Sequence, residues 1–114
     1  MIFTKEISEK LIAAHEHEVE ENPKVISKIR NIAGPGVFYA IDGFVDAESG
    51  KFSVYGLSNI DFATGRILEY PATNCIVFAE DFETLNIPYG HVLFEIDHKF
   101  EGRVSDAMKE LNIQ

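Results

Sequence analysis

The sequence predicts an α+β fold, in which helices pack on one face of an antiparallel sheet of four or five strands. Apolar residues recur at helical spacing in the first third of the chain, and they crowd into short β-branched and aromatic runs from Val37 onwards. Two turns with the same sequence pattern separate these runs. A single domain over 1–114 is expected, made of a helical segment 1–33, a sheet 37–98 and a C-terminal helix 103–112.

The first 33 residues are predicted to form two helices. Between Thr4 and Asn22, apolar residues fall near helical spacing, and no Gly or Pro interrupts them. A second helix is expected to begin at Asn22-Pro23, because Asn is a good N-cap and the fixed φ of Pro suits the first helical position. Gly34-Pro35-Gly36 would then end this helix with a C-cap glycine and a breaker.

Two β-hairpins are predicted from a repeated turn pattern. Residues 46–52 and 61–67 both read Asp-x-x-Ser/Thr-Gly-Lys/Arg-apolar, in which Asp can accept hydrogen bonds from the backbone that follows and Gly supplies a positive φ. The implied strands form a meander over about 37–45, 51–60 and 66–79. Pro71 marks a bend, a bulge or an edge in the third of them, because it cannot donate to a ladder.

The spacing of apolar residues predicts a strand and then a helix in the last part of the chain. From His91 to His98, apolar and polar side chains alternate, as they do in a strand with one polar face. After Gly102, apolar residues return to helical spacing and predict a helix of two to three turns. The N-terminal helices and this C-terminal helix are expected on the same face of the sheet.

Composition and charge exclude several classes of function. Ten basic and nineteen acidic side chains give a formal net charge of -9, and this field repels nucleic acid and anionic membrane surfaces. No secretory signal is visible, and no apolar run approaches the roughly 20 residues of a membrane span. Cys75, the single cysteine, cannot form an internal disulfide and is expected to be a buried packing residue. The sequence therefore predicts a cytoplasmic protein without a nucleic-acid or membrane partner.

The sequence contains no motif for a cofactor, a metal or a catalytic nucleophile. It has no P-loop, no His-Glu-x-x-His and no Gly-x-Ser-x-Gly. His15 and His17 lie two residues apart on a predicted helix, so they diverge around its axis instead of binding one ion. The carboxylates of residues 42–49 do not follow calcium-binding spacing. We expect neither a cofactor nor a metal, and the sequence favours a protein that is not an enzyme.

The excess negative charge is concentrated in the predicted sheet. The formal charge is -1 for residues 1–33, -8 for 34–102 and 0 for 103–114. Since helices are expected to cover one sheet face, acidic residues on the other face would engage a basic partner protein. The expected partner-binding residues are Asp42, Glu69, Glu95, Asp97, Tyr55 and Tyr70. The length, acidity and layout resemble those of small inhibitor, immunity and secretion-chaperone proteins, a likeness of composition that carries no residue over.

A different class of function depends on the last predicted strand. His91, Glu95 and Asp97 share one of its faces, with the two carboxylates about 6–7 Å apart. Such a pair suits acid–base chemistry or ligand binding in a cleft, and it equally suits a strand that faces solvent. The alternative to a protein-binding module is therefore a small enzyme or ligand-binding protein with these three residues as catalytic or ligand-orienting groups.

A homodimer is predicted from the apolar strand that begins at Val37. Residues 37–41 are all apolar, so both faces of this strand are apolar. The strand must therefore lie inside the sheet, under a helix or in a subunit contact. A domain of this size has few elements that can cover it, which favours a dimer with two-fold symmetry.

Overall fold

The computed structural model describes residues 2–17, 20–32, 34–84, 86–87, 90–91 and 94–112. The main sheet has five antiparallel strands in the order β4-β3-β2-β1-β7. These are β1 Ser27–Asn31, β2 Val37–Val45, β3 Phe52–Ile60, β4 Ile67–Phe78 and β7 Phe94–Ile96. The helices are α1 Lys5–Glu16, α2 Asp81–Thr84 and α3 Val104–Glu110, and a small second sheet pairs β5 Asn86–Ile87 with β6 Gly90–His91. The α+β class and the antiparallel sheet are confirmed.

Both predicted hairpin turns are present, and their hydrogen bonds are closely similar. The carbonyl of Asp46 accepts from the backbone N–H of Gly50 at 2.8 Å, and that of Asp61 accepts from Gly65 at 2.7 Å. The two glycines have φ values of 72° and 75°, a conformation in which a side chain would be strained. The repeated sequence pattern is therefore confirmed as a turn pattern, and the strands on either side agree with the predicted bounds to within a residue.

Helix α1 is shorter than predicted, because it ends at Glu16 and residues 20–22 are not helical. Thr4 caps its start, where the side-chain oxygen accepts from the backbone N–H of Ile7 at 3.2 Å. The chain after the last turn is rich in glutamate, at positions 16, 18, 20 and 21. Negative charge at the C-terminal end of a helix is unfavourable for the helix dipole, so a longer helix gains little there.

Residues 23–32 do not form the predicted second helix, because strand β1 occupies Ser27–Asn31. Burial alternates residue by residue along β1, which pairs with β2 on one side and β7 on the other. The spacing of Val25, Ile26 and Ile29 is compatible with the helical period of 3.6 residues and also with the period of two residues that a strand has. Their β-branched side chains favour a strand when neighbouring strands are available to pair, so tertiary pairing outweighs the local pattern here.

The prediction that Asn22 is the N-cap of a helix beginning at Pro23 was wrong, but its side chain binds the first turn of α3 instead. The Asn22 side-chain oxygen accepts from the backbone N–H of Ser105 at 3.0 Å. The carbonyl of Pro23 accepts from the N–H of Val104 at 2.9 Å. These bonds satisfy N–H groups of the first turn that α3 cannot satisfy internally. The segment before β1 is therefore hydrogen-bonded to the start of α3. This helix lies within the range 103–112 predicted for the C-terminal helix.

The terminal helices pack on opposite faces of the sheet, and the prediction of one shared face was wrong. Phe38 of β2 belongs to a core cluster that includes Leu11 of α1. Tyr39, the next residue, belongs to a second cluster that includes Ala107 of α3. Successive strand residues point to opposite faces, so each face has its own helix. We call the face of Phe38 the α1 face and the face of Tyr39 the α3 face.

Strand β2 lies inside the sheet, between β1 and β3. The apolar residues on both of its faces are buried, since each face is covered by one of the two clusters. The apolar run 37–41 is thus explained within one chain, and the homodimer stays a prediction without this reason in its favour. Strand β4, with Pro71, is at an edge of the sheet, as predicted, and its pairing with β3 shifts register on both sides of Ala72.

The order of the strands departs from a pure meander at its end. Strands β1 to β4 follow one another, but β7 returns to the opposite edge and pairs with β1 instead of β4. In the parts of the chain that the structure describes, the helices are too short to span a membrane.

Candidate functional site

The carboxylates predicted to form one acidic face lie in separate surroundings. Glu95 and Asp97 share the α3 face, but each is close to a cation of the neighbouring strand β1. Glu95 forms an ion pair with Arg30, and the Asp97 carboxylate lies 3.6 Å from the Lys28 ammonium. Glu69 is exposed on the edge strand β4. Charge on the last strand is therefore largely compensated within the chain.

The other predicted site residues are also dispersed. Tyr70 lies beside Glu69 on β4 and is 82% exposed. Tyr55 is half-buried on β3, where its hydroxyl donates to the side-chain oxygen of Asn74. The side chain of His91 lies outside the described part of the structure, so the predicted grouping of His91, Glu95 and Asp97 stays a hypothesis.

A polar network attaches α3 to its face of the sheet. The Lys28 ammonium lies 2.8 Å from a carboxylate oxygen of Glu110, and the Tyr39 hydroxyl donates to that same oxygen. The ammonium also lies 5.4 Å from the ring centre of Tyr39 and 5.5 Å from that of Phe100. Tyr39 itself is almost fully buried. The network therefore provides the buried hydroxyl and the ammonium with partners.

Folding shifts the pKa values of this network in opposite directions. Burial raises the pKa of Tyr39 well above its ordinary value, and the hydrogen bond to Glu110 raises it further. Burial alone would raise the pKa of Glu110, but hydrogen bonds from Lys28 and Tyr39 outweigh it and lower the pKa. The pKa of Asp97 is lowered first by a hydrogen bond from the backbone of Lys99 and also by the charge of Lys28.

Acid is expected to weaken the attachment of α3. A carboxylate with a lowered folded-state pKa stabilises the protein fully above its unfolded-state pKa, about 4, and loses this contribution as pH falls through the folded value. Glu110 and Asp97 are partly exposed, so together we expect about 1 kcal/mol or less. Urea unfolding of the wild type and of Lys28→Met, between about pH 7 and pH 3, measures the effect. The two stability curves should converge in acid, and parallel curves would contradict the role of the network.

A groove of about 730 Å³ opens on the α3 face, beside α3 itself. Its walls are the end of α1, the segment before β1 and the first half of α3, and strands β2 to β4 form its floor. Buried Ile41 and Leu57 and half-buried Met108 supply apolar surface. Its polar side chains are those of His15, His17, Glu20, Glu21, Lys24, Asp42, Tyr55, Thr73, Asn74 and Arg103.

A β-bulge in β2 brings a carboxylate into this groove. The pairing of β2 with β3 passes from Ala40↔Gly56 to Asp42↔Tyr55, so β2 contains one extra residue, Ile41. A bulge changes the alternation of side chains between the two faces. Ile41 and Asp42, although adjacent in sequence, both line the groove.

The last turn of α1 places an imidazole next to this carboxylate. Nδ1 of His15 lies 3.4 Å from Oδ1 of Asp42. The His15 ring stacks on Phe44, with ring centres 4.9 Å apart and an angle of 27° between the planes. The stack fixes the ring beside Asp42. At 3.4 Å the contact is longer than a normal hydrogen bond, and Asp42 Oδ1, which is shielded from solvent, has no hydrogen-bond donor among the described residues.

The contact between His15 and Asp42 could not be predicted from the sequence, because nothing in it pairs a helix residue with a strand residue 27 positions later. A signal for the bulge was present in Gly43. Glycine inside a strand often marks a bulge or a close approach, and a Cβ on Gly43 would lie 3.1 Å from Cβ of Leu11 in α1. The glycine therefore allows α1 to lie against β2 at the point where Asp42 enters the groove.

The groove offers binding groups for an organic ligand and no preformed metal site. Among the described residues, no cluster of three or more His, Cys, Asp or Glu side chains is arranged to hold a metal ion. Cys75 is half-buried against the α1-face cluster, and burial raises the pKa of its thiol, as suits a packing residue. Comparison of the chain with protein-family models, curated proteins and solved structures gives no match.

Proposed function

We propose that this protein binds a small organic molecule in the α3-face groove. The observation that carries the proposal is the groove itself, which has a volume of about 730 Å³ and brings apolar side chains of the sheet and of α3 together with polar side chains. Ligand sites in proteins have volumes of about 300–1,000 Å³ and the same division between apolar lining and orienting polar groups. The ligand-binding alternative drawn from the sequence is thus retained, with a different set of residues.

In this proposal the groove binds its ligand and does not catalyse a reaction. A catalytic nucleophile is usually a hydroxyl or thiol hydrogen-bonded to a base. In the described part of the groove, neither histidine is hydrogen-bonded to such a group, and the Tyr55 hydroxyl is directed to Asn74. The groove therefore supports recognition more directly than it supports catalysis.

The test is a titration of ¹⁵N-labelled protein with small amines, alcohols and carboxylic acids that have short aliphatic or aromatic bodies. We expect amide signals to shift for residues that line the groove, above all Leu57, Asn74 and Met108, with saturation by about 1 mM. Signals on the α1 face, such as that of Val77, should not move. Shifts that scatter over the surface, or no shifts at such concentrations, would contradict the proposal.

A pair of threonine variants provides the control. Thr73 is exposed and lines the groove, so Thr73→Trp places a large side chain on its floor and is expected to reduce binding at least about tenfold. Thr64 is also exposed but lies in the β3–β4 turn, away from the groove, so Thr64→Trp should bind like the wild type. Equal binding by both variants would place the ligand elsewhere.

The net charge of -9 and the exposed pair Glu69 and Tyr70 favour a second candidate function, a protein-binding module that engages a basic partner. Association with such a partner would slow steeply as salt is added, because exposed charges are screened within about 10 Å at 0.1 M. Glu69→Gln would lower the association rate, and a rate that ignores both salt and this substitution would contradict the second candidate.

A further inference from the structure

We infer that the α3-face groove selects an organic ammonium ion with an apolar body, and that Asp42 is its anchor. This inference rests on the proposed function, because it names the ligand class of the same groove. It starts from the carboxylate of Asp42, whose side chain lines the groove and is 24% exposed. Among the described residues, the basic atom near this carboxylate is Nδ1 of His15, at 3.4 Å and without a hydrogen bond, so the negative charge is available to a cation that enters the groove.

The charges around the groove favour a cation at this position. Asp42 is the carboxylate on the floor, and its only basic neighbour within 4.0 Å among the described residues is His15. At the rim, Arg103 is already bound, because its guanidinium lies 3.4 Å from a carboxylate oxygen of Glu20 and donates to the carbonyl of Asn22 at 2.9 Å. Lys24, the other basic residue of the rim, is exposed and therefore hydrated. An anionic head group on the floor would meet the charge of Asp42 with no free cation beside it.

The neighbours of Asp42 suit an ammonium group better than a polar neutral one. Tyr55 stands directly across from Asp42 in the β2–β3 pairing, and the bond from its hydroxyl to Asn74 holds its ring in place. An aromatic ring beside a carboxylate can bind an ammonium ion through the negative face of the ring and through the charge. The hydroxyl of Tyr55 is already engaged with Asn74, so the carboxylate is the stronger acceptor left for the ligand.

The rest of the groove sets the character of the ligand body. Ile41 and Leu57 are buried on the floor, and Val104 and Met108 of α3 form a half-buried wall. This surface favours an alkyl or aryl group as the body of the ligand, because these four side chains offer apolar contact and no hydrogen-bonding group. The fitting ligand is therefore an alkyl- or arylamine in its protonated form.

The experiment compares three probes of the same length, hexylammonium, 1-hexanol and hexanoate, near neutral pH. Dissociation constants come from the shifts of groove amides in ¹⁵N spectra of the wild type, Asp42→Asn and Glu48→Gln. We expect hexylammonium to bind the wild type at least about tenfold more tightly than 1-hexanol, with hexanoate weakest. Asp42→Asn should weaken hexylammonium about tenfold and leave 1-hexanol unchanged. Glu48→Gln removes an exposed carboxylate of the β2–β3 turn, outside the groove, and should change nothing.

The outcomes separate this inference from the proposal on which it rests. If 1-hexanol shifts the same groove amides as tightly as hexylammonium does, the ammonium anchor is wrong and the groove is still a ligand site. If none of the three probes shifts the groove amides, the proposed function itself is wrong. Should Asp42→Asn fail to fold, the order of affinities in the wild type decides the question alone. His15→Phe then adds a second check, because loss of the competing imidazole should leave hexylammonium affinity equal or higher.

Discussion

Alanine at position 56 is expected to unfold the protein or to reduce its stability by at least about 3 kcal/mol. Gly56 lies in β3, and a Cβ there would be 2.0 Å from the carbonyl oxygen of Tyr39 in β2. A backbone oxygen of a central strand cannot rotate away, so the two strands would have to separate. Separation would open the clusters on both faces, since Tyr39 lies on one and Phe38 on the other. Urea unfolding of Gly56→Ala and the wild type measures the loss.

Gly34→Ala is the matched control for this substitution. The nearest atom to a Cβ on Gly34 would be the side-chain nitrogen of Asn31 at 3.8 Å, an ordinary contact. The change is expected to alter stability by less than about 0.5 kcal/mol. A Gly56→Ala protein as stable as Gly34→Ala would contradict the close approach of β2 and β3.

Truncation of Phe82 to alanine is expected to reduce stability by about 4 kcal/mol. Phe82 of α2 is buried, and its ring packs edge-on against four other phenylalanines. The ring centres lie 5.1 to 5.2 Å from those of Phe3, Phe38, Phe62 and Phe94. Its removal leaves a cavity where the N-terminus, the sheet and the β3–β4 turn meet, because the four remaining rings belong to separate elements that pack on this one ring.

Tyr70→Ala tests whether loss of any aromatic side chain has this effect. Tyr70 is the most exposed large hydrophobic residue described, so its truncation should change stability by less than about 0.5 kcal/mol. Equal losses for Phe82→Ala and Tyr70→Ala in urea unfolding would mean that the aromatic cluster is not the centre of the α1-face core.

The strands β2 to β4 could be predicted from the sequence because local chemistry determines them. In both turns between them, an Asp carbonyl closes the loop and a Gly adopts positive φ, and each residue acts within its own turn. Pro71 likewise signalled an edge through its missing N–H group. Features of this kind need no knowledge of the rest of the fold.

Strand β1 and the placement of the helices could not be predicted in this way, because distant partners decide them. The segment around Ile29 has a spacing compatible with a helix, and it becomes a strand because β2 and β7 flank it. Asn22 carries the chemistry of an N-cap, but sequence spacing cannot reveal that it caps a helix 83 residues later. Alternation along β2 predicted burial on both faces, without showing that each face has a different helix.

The candidate site was predicted least well, since it depends on a bulge and on ion pairs between strands. Glu95 and Asp97 share a face, as period-two alternation predicts, but Arg30 and Lys28 compensate their charges only because β1 is a strand. Asp42 was singled out as an acidic residue and proves to line a groove.

The most direct measurement of the central claim is the position of hexylammonium in a crystal structure of the complex. The claim is that the α3-face groove is a ligand site anchored by Asp42. It predicts the probe nitrogen within about 2.7–3.2 Å of a carboxylate oxygen of Asp42, with the hexyl chain against Ile41 and Leu57. A probe bound outside the groove, or bound within it with its nitrogen turned away from Asp42, would contradict the claim.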